Sequence, residues 1–230
     1  MTILDNVLWE ALGGVHAPFA QAIHGARRYF PDVSPLSAVR APTDPTCWRD
    51  LADLMGERDR NDLLLWAVPD VGSDLQVIRS TPLVQMTFTA RPDTLPPAEP
   101  VPFRDLNALD ADRMIALVEL TKPGPMERRT VALGRYLGVH DPSGKLIAMA
   151  GERARVPGWT EVSAVCTHPE HRGKGLAREL MLTIMWGIVA RNELPFLHVA
   201  AANTGAQQLY RSLGFEVRRE GVVVVVRRAR

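Results

Sequence analysis

The feature that most constrains the fold is a glycine-containing turn, residues 168–177, that follows an apolar run and precedes an apolar helical pattern. The run Val162–Cys166 predicts a buried strand, and the pattern from 178 to 191 predicts a helix. Gly173 and Gly175 would let a ligand approach the backbone closely. The first N–H groups of a helix have no partner within it, and the positive end of the helix dipole lies at the same place. We therefore expect this turn to bind an anion such as the pyrophosphate of a nucleotide-like cofactor.

The pattern of this turn narrows the choice of cofactor. A P-loop would need a Gly-Lys-Ser/Thr ending, which is absent, and a dinucleotide-binding turn would need a small residue where Arg178 stands. The pattern that fits, Arg-x-x-Gly-x-Ala, resembles motif A of the GNAT acyltransferases. That resemblance implies acyl-CoA as the cofactor, acetyl-CoA being one such compound, bound by the backbone amides of Arg172, Gly173, Lys174, Gly175, Leu176 and Ala177.

Composition limits the partners that we expect. The chain has 230 residues, of which 46% are apolar and 23% charged, with a net charge of +1, so neither nucleic acid nor an anionic membrane is expected as a partner. Two cysteines, Cys47 and Cys166, favour a reducing compartment over a disulfide scaffold. The N-terminus shows no signal peptide, and the apolar runs are too short to span a bilayer. We expect a cytoplasmic protein, and the oligomeric state stays open, a homodimer included.

A proline-rich segment predicts the domain boundary. Five prolines fall within the eleven residues Pro92–Pro102, which favours an extended connection. We expect an N-terminal α/β half over 1–95, a linker over 96–102 and a second domain over 103–230; the alternative is a long loop inside one domain. In the first half, patterns predict helix over 1–30, a loop over 31–47, a short helix over 48–55, and strands over 63–68, 76–78 and 83–90.

The second half has a more regular pattern. It predicts helices over 110–120, 127–133 and 204–212 besides the one after the glycine turn, strands over 136–140, 145–155, 160–167 and 196–201, and a hairpin formed by 215–219 and 222–228. This order is similar to that of a GNAT domain. The resemblance implies an α/β (α+β) class and the GNAT acyl-CoA N-acyltransferase fold: a mixed, mostly antiparallel sheet with helices on both faces. Before it stands a smaller N-terminal half, which we interpret as a degenerate GNAT-like unit.

A second motif lies 30 residues or so after the turn. Asn203, Ala206 and Tyr210 share roughly one face of the predicted helix. With Gly214 and Phe215 they resemble the GNAT motif in which the asparagine orients the cofactor and the tyrosine protonates the leaving thiolate. A phenol is a usable proton donor. The alternative for Tyr210 is ordinary packing of a half-buried aromatic ring.

The strand before the turn carries further candidate residues for cofactor binding and catalysis. By resemblance, the backbone of Val165, Cys166 and Thr167 binds the pantetheine arm and polarises the thioester carbonyl. A covalent role for Cys166 is not expected, because no histidine is placed beside it by spacing. Glu161 on this strand and Glu152 on the preceding strand are candidates for the general base, with burial raising the pKa toward neutrality. The alternative is that both are ordinary polar residues at strand ends.

No metal site is expected. His168, Glu170 and His171 lie close together in the sequence, but no further ligands follow at a known spacing. We expect His171, like Arg172, to face phosphate instead.

A finer resemblance concerns four strings of residues, which are similar to the GNAT branch near glycine N-acyltransferase: Leu120–Pro125, Gly134–Gly138, Met149–Arg153 and Ala164–Pro169. Met126 departs from that branch, because an aromatic residue would be expected there. The resemblance implies an N-acyltransferase, with acetyl as the expected acyl group, that acts by direct attack of a primary amine of a small molecule or peptide. The alternative is a non-catalytic acyl-CoA-binding sensor or structural module.

The acceptor is expected to bind between the loop 121–126, the strand near Glu161 and the N-terminal half. Arg128 and Arg129 are candidates to meet an acceptor carboxylate, and exposed helix charges are the alternative.

Overall fold

The computed structural model describes residues 2–57 and 59–229, which form five α-helices and one sheet of eleven strands. The helices are α1 (Val7–Gly13), α2 (Pro45–Leu54), α3 (Ala111–Thr121), α4 (Leu176–Ala190) and α5 (Thr204–Ser212). The strands are β1 (Ala20–Ile23), β2 (Ala26–Tyr29), β3 (Leu36–Val39), β4 (Asn61–Leu65), β5 (Leu75–Phe88), β6 (Phe103–Leu106), β7 (Tyr136–His140), β8 (Leu146–Val156), β9 (Trp159–Thr167), β10 (Leu194–Ala200) and β11 (Phe215–Arg228). Within the described chain, no helix is both long and apolar enough to cross a membrane.

The strand order is β1-β2-β3-β4-β11-β5-β10-β9-β8-β7-β6. Neighbouring strands are antiparallel except at β3/β4 and β9/β10, which are parallel. Helix α4 covers β7 to β10 on one face, while α1 and α3 pack on the other face of β8. The predicted mixed, mostly antiparallel sheet with helices on both faces is therefore confirmed.

The two halves of the chain exchange a strand. β5, from the first half, lies between β10 and β11, and β11, from the second half, lies between β4 and β5. The proline-rich segment that follows β5 contains a short 3-10 helix, Pro92–Thr94, and then runs along α4, where Trp186 donates a hydrogen bond to the carbonyl of Pro96 at 3.1 Å. The domain boundary within this segment stays a prediction.

The helix predicted over 1–30 is wrong beyond residue 19. Only Val7–Gly13 is α-helical, and Ala20–Tyr29 forms the β1–β2 hairpin. In β2, Ala26 is covered by α2 and Tyr29 by α1. This two-sided burial gives no helical period, and it depends on elements distant in sequence. For the same reason the prediction of a loop over 31–47 missed β3.

The hairpin predicted near the C-terminus is also wrong. Phe215–Arg228 is one continuous strand that pairs with β5 from Phe215↔Phe88 to Arg228↔Leu75. A Cβ atom added to Gly221 would lie 2.5 Å from the carbonyl oxygen of Leu65 on β4. Glycine therefore allows two strands to approach each other there, instead of forming a turn.

The sheet curls so that its two halves face each other. Helix α1 contacts β2, β3 and β8 at once. Two hydrogen bonds also join the halves: the hydroxyl of Thr130 donates to the carbonyl of Val33 at 2.6 Å, and the backbone N–H of Arg129 donates to the carbonyl of Asp32 at 2.9 Å. The concave face therefore encloses space that is bounded by both halves of the chain.

Candidate active site

Strands β9 and β10 separate in the middle of the sheet. They pair only over Leu194↔Trp159, Pro195↔Thr160 and Phe196↔Glu161. On the other side of β9 the register with β8 shifts between Cys166 and Ser163, and Ala164 there has a φ of 55°. This irregularity is a β-bulge, which redirects the strand. The result is an opening in the sheet beside residues 162–167.

A groove of about 530 Å³, here called the outer groove, runs from this opening to the start of α4. Gly173 and Gly175 both have a φ of 76°, and a Cβ atom added at either would meet nothing within 4 Å. Gly175 is the N-cap of α4, so the helix presents its unpaired first N–H groups to the groove. The groove is lined by all the residues predicted to bind the cofactor: Val165, Cys166, Thr167, Arg172, Gly173, Lys174, Gly175, Leu176, Ala177, Asn203 and Ala206.

Helix α5 forms the opposite wall of this groove. Its N-cap, Asn203, accepts a hydrogen bond from the N–H of Ala206 at 3.2 Å. Tyr210 is only 8% exposed and packs against Phe215. Burial, together with the nearby Cys166 thiol, raises the pKa of Tyr210 to about 12. The phenol therefore keeps its proton at neutral pH.

A second cavity of about 340 Å³, here called the inner pocket, lies on the other side of the opening. It is bounded by the loop Lys122–Pro125, by Val162–Val165 of β9 and by the strands β4, β5 and β11. Val165 and Tyr210 line both cavities, so the two meet at these residues. Two reactants that enter from opposite sides would meet beside the phenol.

Comparison with known proteins decides the family. A family model described as FR47-like protein matches residues 136–224. A GNAT-family protein from Novosphingobium aromaticivorans DSM 12444 is 35% identical over 100% of both chains, with a TM-score of 0.89. The chain belongs to the GNAT family. Family and fold together support N-acyltransferase activity with an acyl-CoA as co-substrate.

Two more distant structures share the fold alone. The GCN5-related N-acetyltransferase from Kribbella flavida is 17% identical, over 96% of this chain and 93% of its own, with a TM-score of 0.60. A GCN5-related N-acetyltransferase-like protein from Streptococcus suis 89/1591 is 14% identical, over 97% of this chain and 92% of its own, with a TM-score of 0.55. No curated protein matches the chain.

In this GNAT protein, Glu161 is enclosed by partners. The residue is 0% exposed, and its carboxylate accepts two hydrogen bonds from Arg153, at 2.9 and 2.7 Å, while Nδ1 of His198 lies 2.8 Å away. Burial alone would raise the pKa of Glu161, but the charge of Arg153 and these hydrogen bonds hold it far below its usual range. The expectation that burial brings this pKa toward neutrality is therefore wrong.

Glu152 has a different partner. Its carboxylate is buried and pairs with Arg191, just after α4, at 3.0 Å. Neither Glu152 nor Glu161 is among the residues that line the outer groove or the inner pocket. These positions argue against either glutamate as the general base of a reaction beside Tyr210.

The surroundings of Cys166, which lines the outer groove, bear on whether its thiol could act as a nucleophile. Burial raises the pKa of the Cys166 thiol to about 11, which disfavours the thiolate that a nucleophilic cysteine needs.

His168, Glu170 and His171 place ligand atoms within 4.8 Å of one another, but Nε2 of His168 lies 3.0 Å from the ammonium of Lys145. The expectation of no metal stays a prediction.

The sequence predicted that the N-terminal half borders the acceptor site, but it did not identify the residues of that half that line the inner pocket. Asp62, Arg79 and Thr81 line the pocket, and they lie on strands whose partners could not be predicted. The sequence signal that could have indicated Asp62 as a lining residue is its alternation with the buried Leu63. Arg128 and Arg129, predicted to meet an acceptor carboxylate, instead pair with Asp112 and Asp32, outside the pocket.

Proposed function

We propose that this GNAT protein transfers an acyl group, acetyl in the expected case, from acyl-CoA to a primary amine by direct attack. The observation that carries the proposal is the meeting of the outer groove and the inner pocket at Val165 and Tyr210. The groove is suited to the acyl donor and the pocket to the amine. The opening between β9 and β10 lets the two reactants touch.

The shape and charge of the outer groove support CoA as its ligand. The two glycines leave the backbone open, and the amides at the start of α4 are suited to phosphate oxygens. Arg172 and Lys174 add positive charge at the same end. The remaining length of the groove follows Val165–Thr167, where an extended pantetheine arm would hydrogen-bond to the backbone of the strand.

The chemistry then requires few groups from the protein. The amine nitrogen forms a bond to the thioester carbonyl carbon, the carbon–sulfur bond breaks, and the Tyr210 hydroxyl gives its proton to the departing sulfur. The N–H proton that the new amide must lose restores the phenol. An ammonium acceptor first loses its extra proton to the solvent, because both candidate glutamates are paired with arginines. Backbone N–H groups of β9 at the opening would stabilise the oxyanion.

Replacing Tyr210 with phenylalanine tests the assignment. The ring should still pack against Phe215, so the fold and CoA affinity should be kept. Turnover should fall by about 100-fold or more, because general-acid catalysis is typically worth that much. Release of free thiol from acetyl-CoA with a panel of amines measures turnover, and calorimetry measures CoA affinity.

Equal turnover in Tyr210→Phe and the unmodified chain would contradict the proton-donor role. Tight CoA binding without turnover for any amine would contradict the enzyme and favour a CoA-binding sensor instead.

A further inference from the structure

The inner pocket carries two opposite charges on β4 and β5, with one strand between them. Val225 on β11 is in register with Asp62 on β4 and with Arg79 on β5. The three residues therefore form one row across three strands, and Asp62 and Arg79 both line the pocket. Both belong to the N-terminal half, whose other described residues at this cavity are Leu36, Leu64 and residues 81–83.

The two charges are not paired with each other. The Asp62 carboxylate is half-buried, and Arg79 and Arg153 act on it only through space, without a hydrogen bond. Burial raises the pKa of Asp62, and the two guanidinium groups oppose that rise. In the part of the chain that the structure describes, this carboxylate has no hydrogen-bond or ion-pair partner, which is costly for a half-buried charge unless a ligand supplies one. Arg153 is committed to Glu161, whereas the exposed Arg79 has no ion-pair partner within residues 2–57 and 59–229.

The position of this row favours a ligand group other than the reacting nitrogen. The acylated nitrogen must lie beside Val165 on β9, and β4 is four strands away in the order β9-β10-β5-β11-β4. Strands are spaced by about 4.8 Å, and Arg79 on β5 and Asp62 on β4 are two and four strands from β9, so the row is offset from Val165 across the sheet. A group that meets the row must therefore be at the far end of an elongated acceptor.

We propose that Asp62 and Arg79 bind the zwitterionic head group of the acceptor, an ammonium and a carboxylate carried by one carbon, while a second amine at the other end reaches Tyr210. The acceptor class is then an amino acid with an amine-bearing side chain, such as lysine or ornithine. This inference rests on the proposed function, since it concerns the acceptor of that reaction. It makes the N-terminal half the part of the chain that selects the substrate.

A matched series of acceptors tests each charge separately. Lysine has both head-group charges, ε-aminocaproate lacks the ammonium, cadaverine lacks the carboxylate and pentylamine lacks both. The unmodified protein should show the highest kcat/KM with lysine, by at least about tenfold over each analogue, because a charge-assisted hydrogen bond is worth that much.

Two variants should remove the preference in different ways. Asp62→Asn should remove the preference for lysine over ε-aminocaproate, and Arg79→Gln should remove the preference for lysine over cadaverine, mainly through KM. In both variants the loss of turnover with pentylamine should be smaller than the loss with lysine. Asp53→Asn, on the exposed surface of α2, is the matched control and should behave as the unmodified chain. Because Arg79 is exposed, its variant should fold even if Asp62→Asn is destabilised.

Binding separates this inference from the proposed function. Calorimetry of lysine with the CoA-loaded protein should show affinity that falls about tenfold in each variant. Such binding without thiol release from acetyl-CoA for any amine would contradict the proposed function alone. Turnover with equal kcat/KM for lysine and pentylamine, or an equal loss with all four amines in Asp62→Asn, would overturn the inference while leaving the function in place.

Discussion

Glu161 shows that a buried carboxylate need not be a good base. Removal from water raises its pKa, but a bidentate Arg153 and a hydrogen bond from His198 more than reverse that rise. Its energetic role is to neutralise Arg153, which is itself buried next to the inner pocket. The pair therefore stabilises the wall of the pocket.

Glu161→Gln should destabilise the fold by about 3–5 kcal/mol at neutral pH, because it leaves a buried guanidinium without its counter-charge. The pKa of Glu161 is lowered on folding, so its stabilisation is present above the unfolded value of 4.5 and is lost as the pH falls below it. The gap between variant and unmodified chain should therefore shrink at acid pH. Urea unfolding at several pH values measures it, with the exposed Glu10→Gln as control. If the difference in unfolding free energy did not depend on pH, the stabilisation would not come from the lowered pKa of Glu161.

The N-termini of α2 and α4 have the same topology but differ in whether their backbone N–H groups are left without a partner. Helices α2 and α4 each follow a strand that pairs in parallel with the strand after the helix. At α2 the Asp44 carboxylate accepts the N–H of Thr46 at 2.9 Å, and Pro45 has no N–H to offer. At α4 the N-cap is Gly175, which has no side chain. Only the second start has the open amides that an anion needs.

Gly175→Ala should therefore weaken CoA binding, because a methyl group would project into the outer groove and alanine is strained at a φ of 76°. Roughly a tenfold rise in Kd, or about 1.4 kcal/mol, is expected. Gly144→Ala is the matched control, since Gly144 has a φ of 83° and open space in the β7–β8 turn, outside the groove. Both variants should lose similar thermal stability, and only Gly175→Ala should lose affinity. Equal Kd values by calorimetry would contradict this role.

The exchange of β5 and β11 makes the halves interdependent. One hydrophobic cluster joins Tyr29 and Leu36 of the first half to Ala154 and Phe196 of the second. The inner pocket is likewise formed by both. A second half by itself would lack the strand that lies between β10 and β11.

The whole chain should therefore unfold in one transition, with coincident urea curves by circular dichroism and tryptophan fluorescence. A fragment covering 103–230 should not reach a cooperative fold, because β10 and β11 would each expose an unpaired edge. Two resolved transitions, or a fragment with its own sigmoidal unfolding curve, would show that the halves are independent.

The sequence predicted the second half well where the signals were local. The boundaries of β7 and α5 agree with the prediction, and the residues of the glycine turn, the end of β9 and the start of α5 line one groove as their motifs implied. Turn glycines, caps and helical spacing act within a few residues of one another, so they can be recognised along the chain. Their cofactor-binding role stays a prediction.

The features that only the tertiary structure decided depend on contacts between segments that are distant in the sequence. The strand exchange, the continuous β11, the pairing of Glu161 with Arg153, and the row of Asp62 and Arg79 each join residues whose proximity no local pattern encodes. A pKa, a strand partner and a pocket wall are set by what surrounds a side chain in space. Sequence spacing determines those surroundings within a turn or a helix, but not across a curled sheet.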